Sequence, residues 1–168
     1  AAAALSLGLP PEVVAEGLRG FKGVAHRLEP VAEVAGVRFV NDSKATNVEA
    51  TVTALAAFDA GVRLLLGGSS KGEPFAPLLD AVEGPCVAVY LIGESAPEIA
   101  AALSPAREAC LAVEDCGDRE TAVSRAWTDA RAGETVLLSP SCASFDQFTD
   151  YEDRGDRFRR LVGTVDVA

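Results

Sequence analysis

Short apolar runs alternate with helical stripes along most of this 168-residue chain. Near-continuous apolar runs, typical of buried parallel strands, occupy residues 62–66, 87–92, 110–113 and 135–138. Stripes with the 3.6-residue period of a helix lie around them: Val48, Val52 and Leu55; Phe75, Leu78, Leu79 and Val82; Ala96, Ile99, Ala100 and Leu103; Val123, Ala126, Trp127 and Ala130; Phe158, Leu161 and Val162. A hairpin around Gly36 is predicted to pair residues 30–34 with residues 37–40. The pattern predicts an α/β fold, a Rossmann-like open sheet that is mostly parallel with one antiparallel edge strand, and helices on both faces.

Polar residues at capping positions indicate where some of these helices begin. Ser95 with Glu98, and Ser144 with Gln147, have the spacing of a capping box, and Asp118 is a candidate single N-cap. A helix is therefore predicted to start near Ser144.

Flexible polar loops follow the apolar runs that end near residues 40, 66 and 138. Their sequences are NDSKATN (41–47), GGSSKG (67–72) and SPSCASFDQF (139–148). Ligands of open α/β sheets bind at the carboxyl edge of the strands, and backbone N–H groups and lysines there suit a carboxylate or phosphate. The plainer alternative is a set of solvated turns, with Asn47 as an ordinary N-cap.

Composition narrows the classes of partner. The 25 acidic and 15 basic residues give a net charge of -10, which argues against nucleic acid or an anionic membrane surface. The four cysteines form no CxxC pair, and with a single histidine they predict no metal site. Cys86 and Cys110 are expected to be buried at strand starts, in a reduced, cytoplasmic protein. The apolar opening AAAALSLGL is too short to span a bilayer.

Several separated motifs, in order, carry a family resemblance. They are HRLE (26–29), FVNDSKATNVEAT, LLLGGSSKG and LLSPSCASFDQFTDYEDRG. Together they resemble the C-terminal domain of the Mur ligases, most of all the branch that adds D-glutamate to UDP-N-acetylmuramoyl-L-alanine in peptidoglycan precursor synthesis. The resemblance implies that residues 1–22 are the tail of a preceding central ATP-binding domain plus a hinge. Residues 23–168 would be the glutamate-binding domain.

The resemblance also implies roles for individual residues. Those expected to hold D-glutamate are Thr46, Lys71, Ser144, the backbone of Phe145, and Tyr151. Those expected near the nucleotide and the reaction centre are His26, Arg27, Asp42 and Lys44. From the residues alone, Lys71 could instead be a solvated loop lysine, Asp42 and Lys44 an exposed ion pair, and His26 and Arg27 a surface pair.

The reaction that the resemblance implies is ADP-forming amide synthesis with ATP and Mg²⁺. The substrate carboxylate becomes an acyl phosphate, which the amine of D-glutamate attacks. The chain has no GxxxxGK[ST] loop, so we expect it to be inactive without the rest of its enzyme, the N-terminal and central domains. Alternatives are another Mur or folylpolyglutamate-type amide ligase, or a free-standing anion-binding module. No DNPR-like motif of the diaminopimelate-adding type is present.

Overall fold

The computed structural model describes residues 1–21 and 23–165, so residue 22 and residues 166–168 of the two predicted domains lie outside it. Its strands are β1 (Glu29–Val34), β2 (Val37–Asn41), β3 (Val62–Gly67), β4 (Cys86–Ile92), β5 (Ala112–Gly117) and β6 (Thr135–Leu138). Its helices are α1 (Ala2–Ser6), α2 (Pro11–Gly20), α3 (Val48–Leu55), α4 (Pro77–Val82), α5 (Ala96–Ala102), α6 (Ser104–Glu108), α7 (Arg119–Asp129) and α8 (Tyr151–Val162).

The strands form one sheet in the order β1-β2-β6-β3-β4-β5. Only β1 pairs antiparallel, with β2, and every other pairing is parallel. The predicted α/β sheet with one antiparallel edge strand is confirmed. Because β6 lies between β2 and β3, the three polar loops leave adjacent strands at one edge.

Helices cover both faces of the sheet and bury two apolar cores. On one face, β3 contributes Leu64 and Leu66 to a core shared with α3, α4, α5 and α6. On the other face, Leu65 of the same strand packs with residues of α7 and α8. The alternation follows from the two-residue period of strand side chains, and it explains why a strand covered on both faces reads as a continuous apolar run.

The helices α1 and α2 are set apart from this core. Neither contains a buried residue, and the large apolar side chains Leu7, Leu18 and Phe21 are exposed. No helix in the described part of the chain is both long and apolar enough to cross a membrane.

Some local predictions were wrong. The fifth strand starts at Ala112, after a turn in which Cys110 has a φ of 78° and is exposed rather than buried. Cys86, at the start of β4, is partly buried. Ser95 does precede α5, but its hydroxyl donates to the carbonyl oxygen of Gly68 at 2.7 Å and does not cap the helix. Asp118 caps α7 as predicted, by accepting a hydrogen bond from the Thr121 N–H.

Candidate functional site

The loops after β3 and β6 are joined by backbone hydrogen bonds. Ser69 and Ala143 exchange two, at 2.9 and 3.1 Å, and the Gly67 N–H donates to the Pro140 carbonyl at 2.9 Å. Gly68 makes this approach possible: its φ is 137°, and a Cβ there would overlap the Ala143 carbonyl oxygen. These bonds join residues 67–69 and 140–143 into one unit, which we call the ledge.

A buried arginine of α8 ties the third loop to this ledge. Arg154 is 0 % exposed, and its guanidinium donates to the Ser43 hydroxyl and carbonyl and to the carbonyls of Cys142 and Ala143, at 2.9 to 3.3 Å. Burial lowers the pKa of Arg154 to about 10, so it stays charged at neutral pH. Sequence reasoning missed this residue. The available signal was its spacing to Phe158 and Val162, which puts an arginine on the buried stripe of α8.

Asp42 lies below the site, with each carboxylate oxygen engaged. Its Oδ1 accepts the Leu28 N–H at 3.0 Å and its Oδ2 accepts the Ser139 hydroxyl at 2.8 Å. Burial raises the pKa of Asp42 above its ordinary value, against the opposing effects of these bonds and of Arg27. Asp42 is only 5 % exposed, which excludes the alternative of an exposed ion pair with Lys44.

A groove of about 560 Å³ opens above Asp42. Predicted residues that line it are Arg27, Asp42, Lys44, Thr46 and Tyr151. The Lys44 ammonium lies 5.2 Å from the centre of the Tyr151 ring and 3.4 Å from its hydroxyl. The contact holds an exposed ammonium over the groove, where it can meet an anion.

Lys71 lies beside the groove and reaches its wall. Its ammonium donates to the Thr46 hydroxyl at 3.2 Å, which joins the loop after β3 to the loop after β2. Asn47 does cap α3, by accepting the Ala50 N–H at 2.8 Å, so the plainer reading of that residue is also correct. A cap uses only one or two of the free N–H groups of a helix start, and the two roles are compatible.

The helix predicted to start at Ser144 is absent. One turn forms, with the Phe148 N–H donating to the Ser144 carbonyl at 2.8 Å, and the chain then remains irregular until α8, which Asp150 caps through the Asp153 N–H. The Gln147 amide donates to the Gly117 carbonyl instead of closing a capping box. Ser144 is buried, whereas Phe145 is 74 % exposed at the tip of the loop.

His26 is buried under the site rather than exposed beside it. The Asn41 amide donates to its Nδ1 at 3.0 Å, because the Asn41 carbonyl oxygen already accepts the Ser43 N–H. This places the proton of the neutral ring on Nε2. The backbone of His26 also holds the site, since its carbonyl accepts the Lys44 N–H at 3.0 Å. Arg27, by contrast, is exposed.

Glu29 anchors the His26 segment to α8. Its carboxylate accepts the His26 N–H at 2.9 Å and a two-pronged bond from Arg159 at 2.8 and 3.1 Å. Burial alone would raise the pKa of Glu29, but the bonds from Arg159 and His26 bring it below its ordinary value. The carboxylate is therefore ionised at neutral pH.

No three histidine, cysteine or acidic side chains of the described residues come close enough to hold a metal ion. Asp42 and Glu49 are the acidic residues that line the groove, and both oxygens of Asp42 are already hydrogen bonded. These residues do not by themselves fit a magnesium site.

Solved structures share this fold. A bifunctional folylpolyglutamate synthase/dihydrofolate synthase from Yersinia pestis superposes with a TM-score of 0.64 over 92 % of this chain and 35 % of its own, at 19 % identity. A second structure of that kind, complexed with AMPPNP and a Mn ion, has a TM-score of 0.64 at 21 % identity and the same coverage. The likeness shows the fold alone.

Curated relatives are far more similar in sequence. The UDP-N-acetylmuramoylalanine–D-glutamate ligases of Myxococcus xanthus and Anaeromyxobacter dehalogenans are 49 % and 50 % identical over 92 % and 93 % of this chain. The chain spans about a third of their length, 33 % and 34 %. The sequence profile of the family described as Mur ligase, glutamate ligase domain, matches residues 26–142. The chain therefore belongs to the Mur ligase family, in its glutamate ligase domain.

Proposed function

We propose that this chain is the C-terminal domain of an ATP-dependent ligase that adds D-glutamate to UDP-N-acetylmuramoyl-L-alanine in peptidoglycan precursor synthesis. One observation carries the proposal: the Lys71 ammonium donates a hydrogen bond to the Thr46 hydroxyl, beside the groove that Lys44 lines. The Lys71 ammonium and the Thr46 hydroxyl suit one carboxylate of an amino acid, and the Ser144 hydroxyl and the Phe145 N–H, in the loop after the adjacent strand β6, suit a second. The names of the similar curated relatives support D-glutamate as that amino acid.

In this proposal, Lys71 and Thr46 hold one carboxylate of D-glutamate. Ser144 and the N–H of Phe145 hold the other, and no acceptor among the described residues takes that N–H. Tyr151 forms the groove wall and holds Lys44 in place. The ligand is gripped by its acid groups, which leaves its amine free to face the acyl donor.

Arg27, Asp42 and Lys44 face the nucleotide side of the reaction. Lys44 offsets negative charge as the amine attacks the acyl phosphate, and the exposed Arg27 reaches toward ATP. His26 is buried, and its part is to hold Lys44 through the backbone bond described above. Mg²⁺ neutralises phosphate charge in such reactions, and we assign it to the other domains of the enzyme.

Residues 1–22 would end the preceding central domain and form the hinge. The described part of this segment supports the assignment, since α1 and α2 bury nothing and expose Leu7, Leu18 and Phe21. An apolar face of this kind is expected to pack against another domain. The location of the enzyme is proposed to be the cytoplasm.

The proposal is tested in the full-length enzyme. Lys71→Ala should raise the KM for D-glutamate about ten- to a hundredfold, because a charge-assisted hydrogen bond contributes about 1.5–3 kcal/mol. Arg107→Ala, at an exposed position of α6, is the matched control and should leave KM unchanged. Equal KM values for both variants, or amide formation by the 168-residue chain alone, would contradict the proposal.

Two other functions lead to different results in this assay. A folylpolyglutamate-type ligase would use a folate acceptor and ignore UDP-N-acetylmuramoyl-L-alanine. A free-standing anion-binding module would bind an anion without forming an amide, so it would have no KM for D-glutamate that Lys71→Ala could change.

A further inference from the structure

A second cavity lies between α7 and α8, on the sheet face opposite α3. Its volume is about 390 Å³, and its charged walls are Arg119, Arg157 and Arg160 with Glu120 and Asp153. Three positive charges against two negative ones stand out in a chain with a net charge of -10. The mechanism proposed above uses none of these residues.

Arg119 is incompletely bonded although its side chain is only 1 % exposed. Its Nη2 meets the carboxylate of Glu120, but its Nε and Nη1 have no hydrogen-bond partner among the described residues. Buried polar groups are nearly always paired, and a buried unpaired guanidinium calls for a negatively charged or water partner.

A second arginine increases the local positive charge. Arg119 lies 4.8 Å and Arg157 lies 5.7 Å from the centre of the Phe148 ring. Burial lowers the pKa of Arg119, and the charge of Arg157 lowers it further, against the effect of Glu120. Arg157 is bonded to Asp153, and its side chain is 43 % exposed, so it can turn toward a ligand.

We propose that this cavity binds a phosphate-type oxyanion through Arg119, Arg157 and Arg160. Planar guanidinium groups match the oxygens of a phosphate better than an ammonium does, and no lysine of the described residues lines the cavity. The first turn of α7, an 11-residue helix, begins at Arg119 and adds the positive end of its dipole. The source is either free phosphate or the phosphate of a nucleotide.

Titration of the 168-residue chain with inorganic phosphate tests the proposal, followed by the arginine Nε–H signals in ¹H–¹⁵N spectra. At constant ionic strength, the Arg119 signal should shift saturably, with a dissociation constant on the order of 1 mM. A parallel titration with ADP identifies the source: tighter binding than phosphate indicates a nucleotide, and equal or weaker binding indicates free phosphate.

Followed at the Arg160 Nε–H, which every variant keeps, Arg119→Met and Arg157→Gln should each weaken phosphate binding at least tenfold, whereas Arg107→Gln should not change it. Arg157 is half exposed, so Arg157→Gln keeps the test valid even if Arg119→Met fails to fold. The proposal is overturned if phosphate gives no saturable shift at Arg119. It is equally overturned if Arg107→Gln weakens binding as much as Arg157→Gln does.

Discussion

Arg154 and Ser43 are joined by two hydrogen bonds of 2.9 Å, from Nε to the hydroxyl and from Nη2 to the carbonyl oxygen. The pair lies in the protein interior, where both residues are 0 % exposed. It connects α8 to the loop that carries Lys44 and Thr46. The position of the candidate site therefore depends on a buried charge that touches no carboxylate among the described residues.

Replacing Arg154 should destabilise the whole chain. Arg154→Met keeps much of the volume but leaves the carbonyl groups of Ser43, Cys142 and Ala143 short of a donor, at a cost of about 3 kcal/mol. Urea unfolding measures the change. Arg107→Met, at an exposed position, should change the free energy of unfolding by less than about 0.5 kcal/mol. Similar free energies of unfolding for the two variants would contradict the view that Arg154 holds the loops together.

Gly155 is the point where α8 meets His26. A Cβ at residue 155 would overlap Nδ1 of the His26 ring and approach Nδ2 of Asn41 to 3.0 Å. Gly155→Ala should therefore reduce the free energy of unfolding by about 1–3 kcal/mol. The control is Gly17→Ala in α2, where a Cβ meets no atom within 4 Å, and it should have a neutral or stabilising effect. A stabilising Gly155→Ala would show that the two elements are not in contact.

The raised pKa of Asp42 predicts a pH dependence of stability. The folded chain holds this proton more tightly than the unfolded chain, whose pKa is near 3.8. The contribution of the carboxyl is thus complete below that pH and is lost as the pH rises through the raised pKa. Asp42→Asn can keep the hydrogen bond from the Leu28 N–H and replace the other with an Nδ2–H that donates to the Ser139 hydroxyl oxygen, and its side chain does not titrate.

Asp42→Asn should therefore gain stability relative to the parent chain as the pH rises from about 3 to about 6. Unfolding curves of both chains across this pH range give the difference between their free energies of unfolding. The titration of the other acidic groups cancels in that difference. Asp59→Asn, at an exposed position, serves as the control and should show a much smaller trend. The account would be refuted if the free energy of unfolding of Asp42→Asn, relative to the parent chain, stayed constant or fell as the pH rises.

The sheet could be predicted from the sequence because buried parallel strands leave a strong pattern. The run 62–66, apolar except for Arg63, became β3, and the hairpin around Gly36 became β1 and β2. The order of the strands could not be predicted. That β6 inserts between β2 and β3, and so brings the loops together, depends on packing between segments far apart in sequence.

The sequence named the candidate site residues, whose roles remain predictions, but not the contacts that support them. Lys44 and Thr46 in the loop after β2, and Lys71 in the loop after β3, are polar residues of strand-end loops, which a sequence displays directly. The support from Arg154 crosses more than a hundred residues to Ser43, and no local pattern encodes such a bond.

The missing helix at Ser144 shows the limit of local capping rules. The spacing of Ser144 and Gln147 satisfies the rule, but of the residues 145–148 that follow only Phe148 is buried, and Phe145 is exposed. Asp150 offers a competing cap six residues later, where the buried stripe of α8 begins. The helix therefore starts after Asp150, because burial of the inner face of α8 stabilises it there.

The central claim is that adjacent strand ends grip D-glutamate by its acid groups. The most direct measurement is a titration of ¹⁵N-labelled chain with D-glutamate and L-glutamate, followed at Thr46, Lys71 and Phe145. We expect D-glutamate to give saturable shifts at these residues, tighter than L-glutamate, and Lys71→Ala but not Arg107→Ala to weaken them at least tenfold. Shifts that are absent, identical for the two enantiomers, or unaffected by Lys71→Ala would contradict the account.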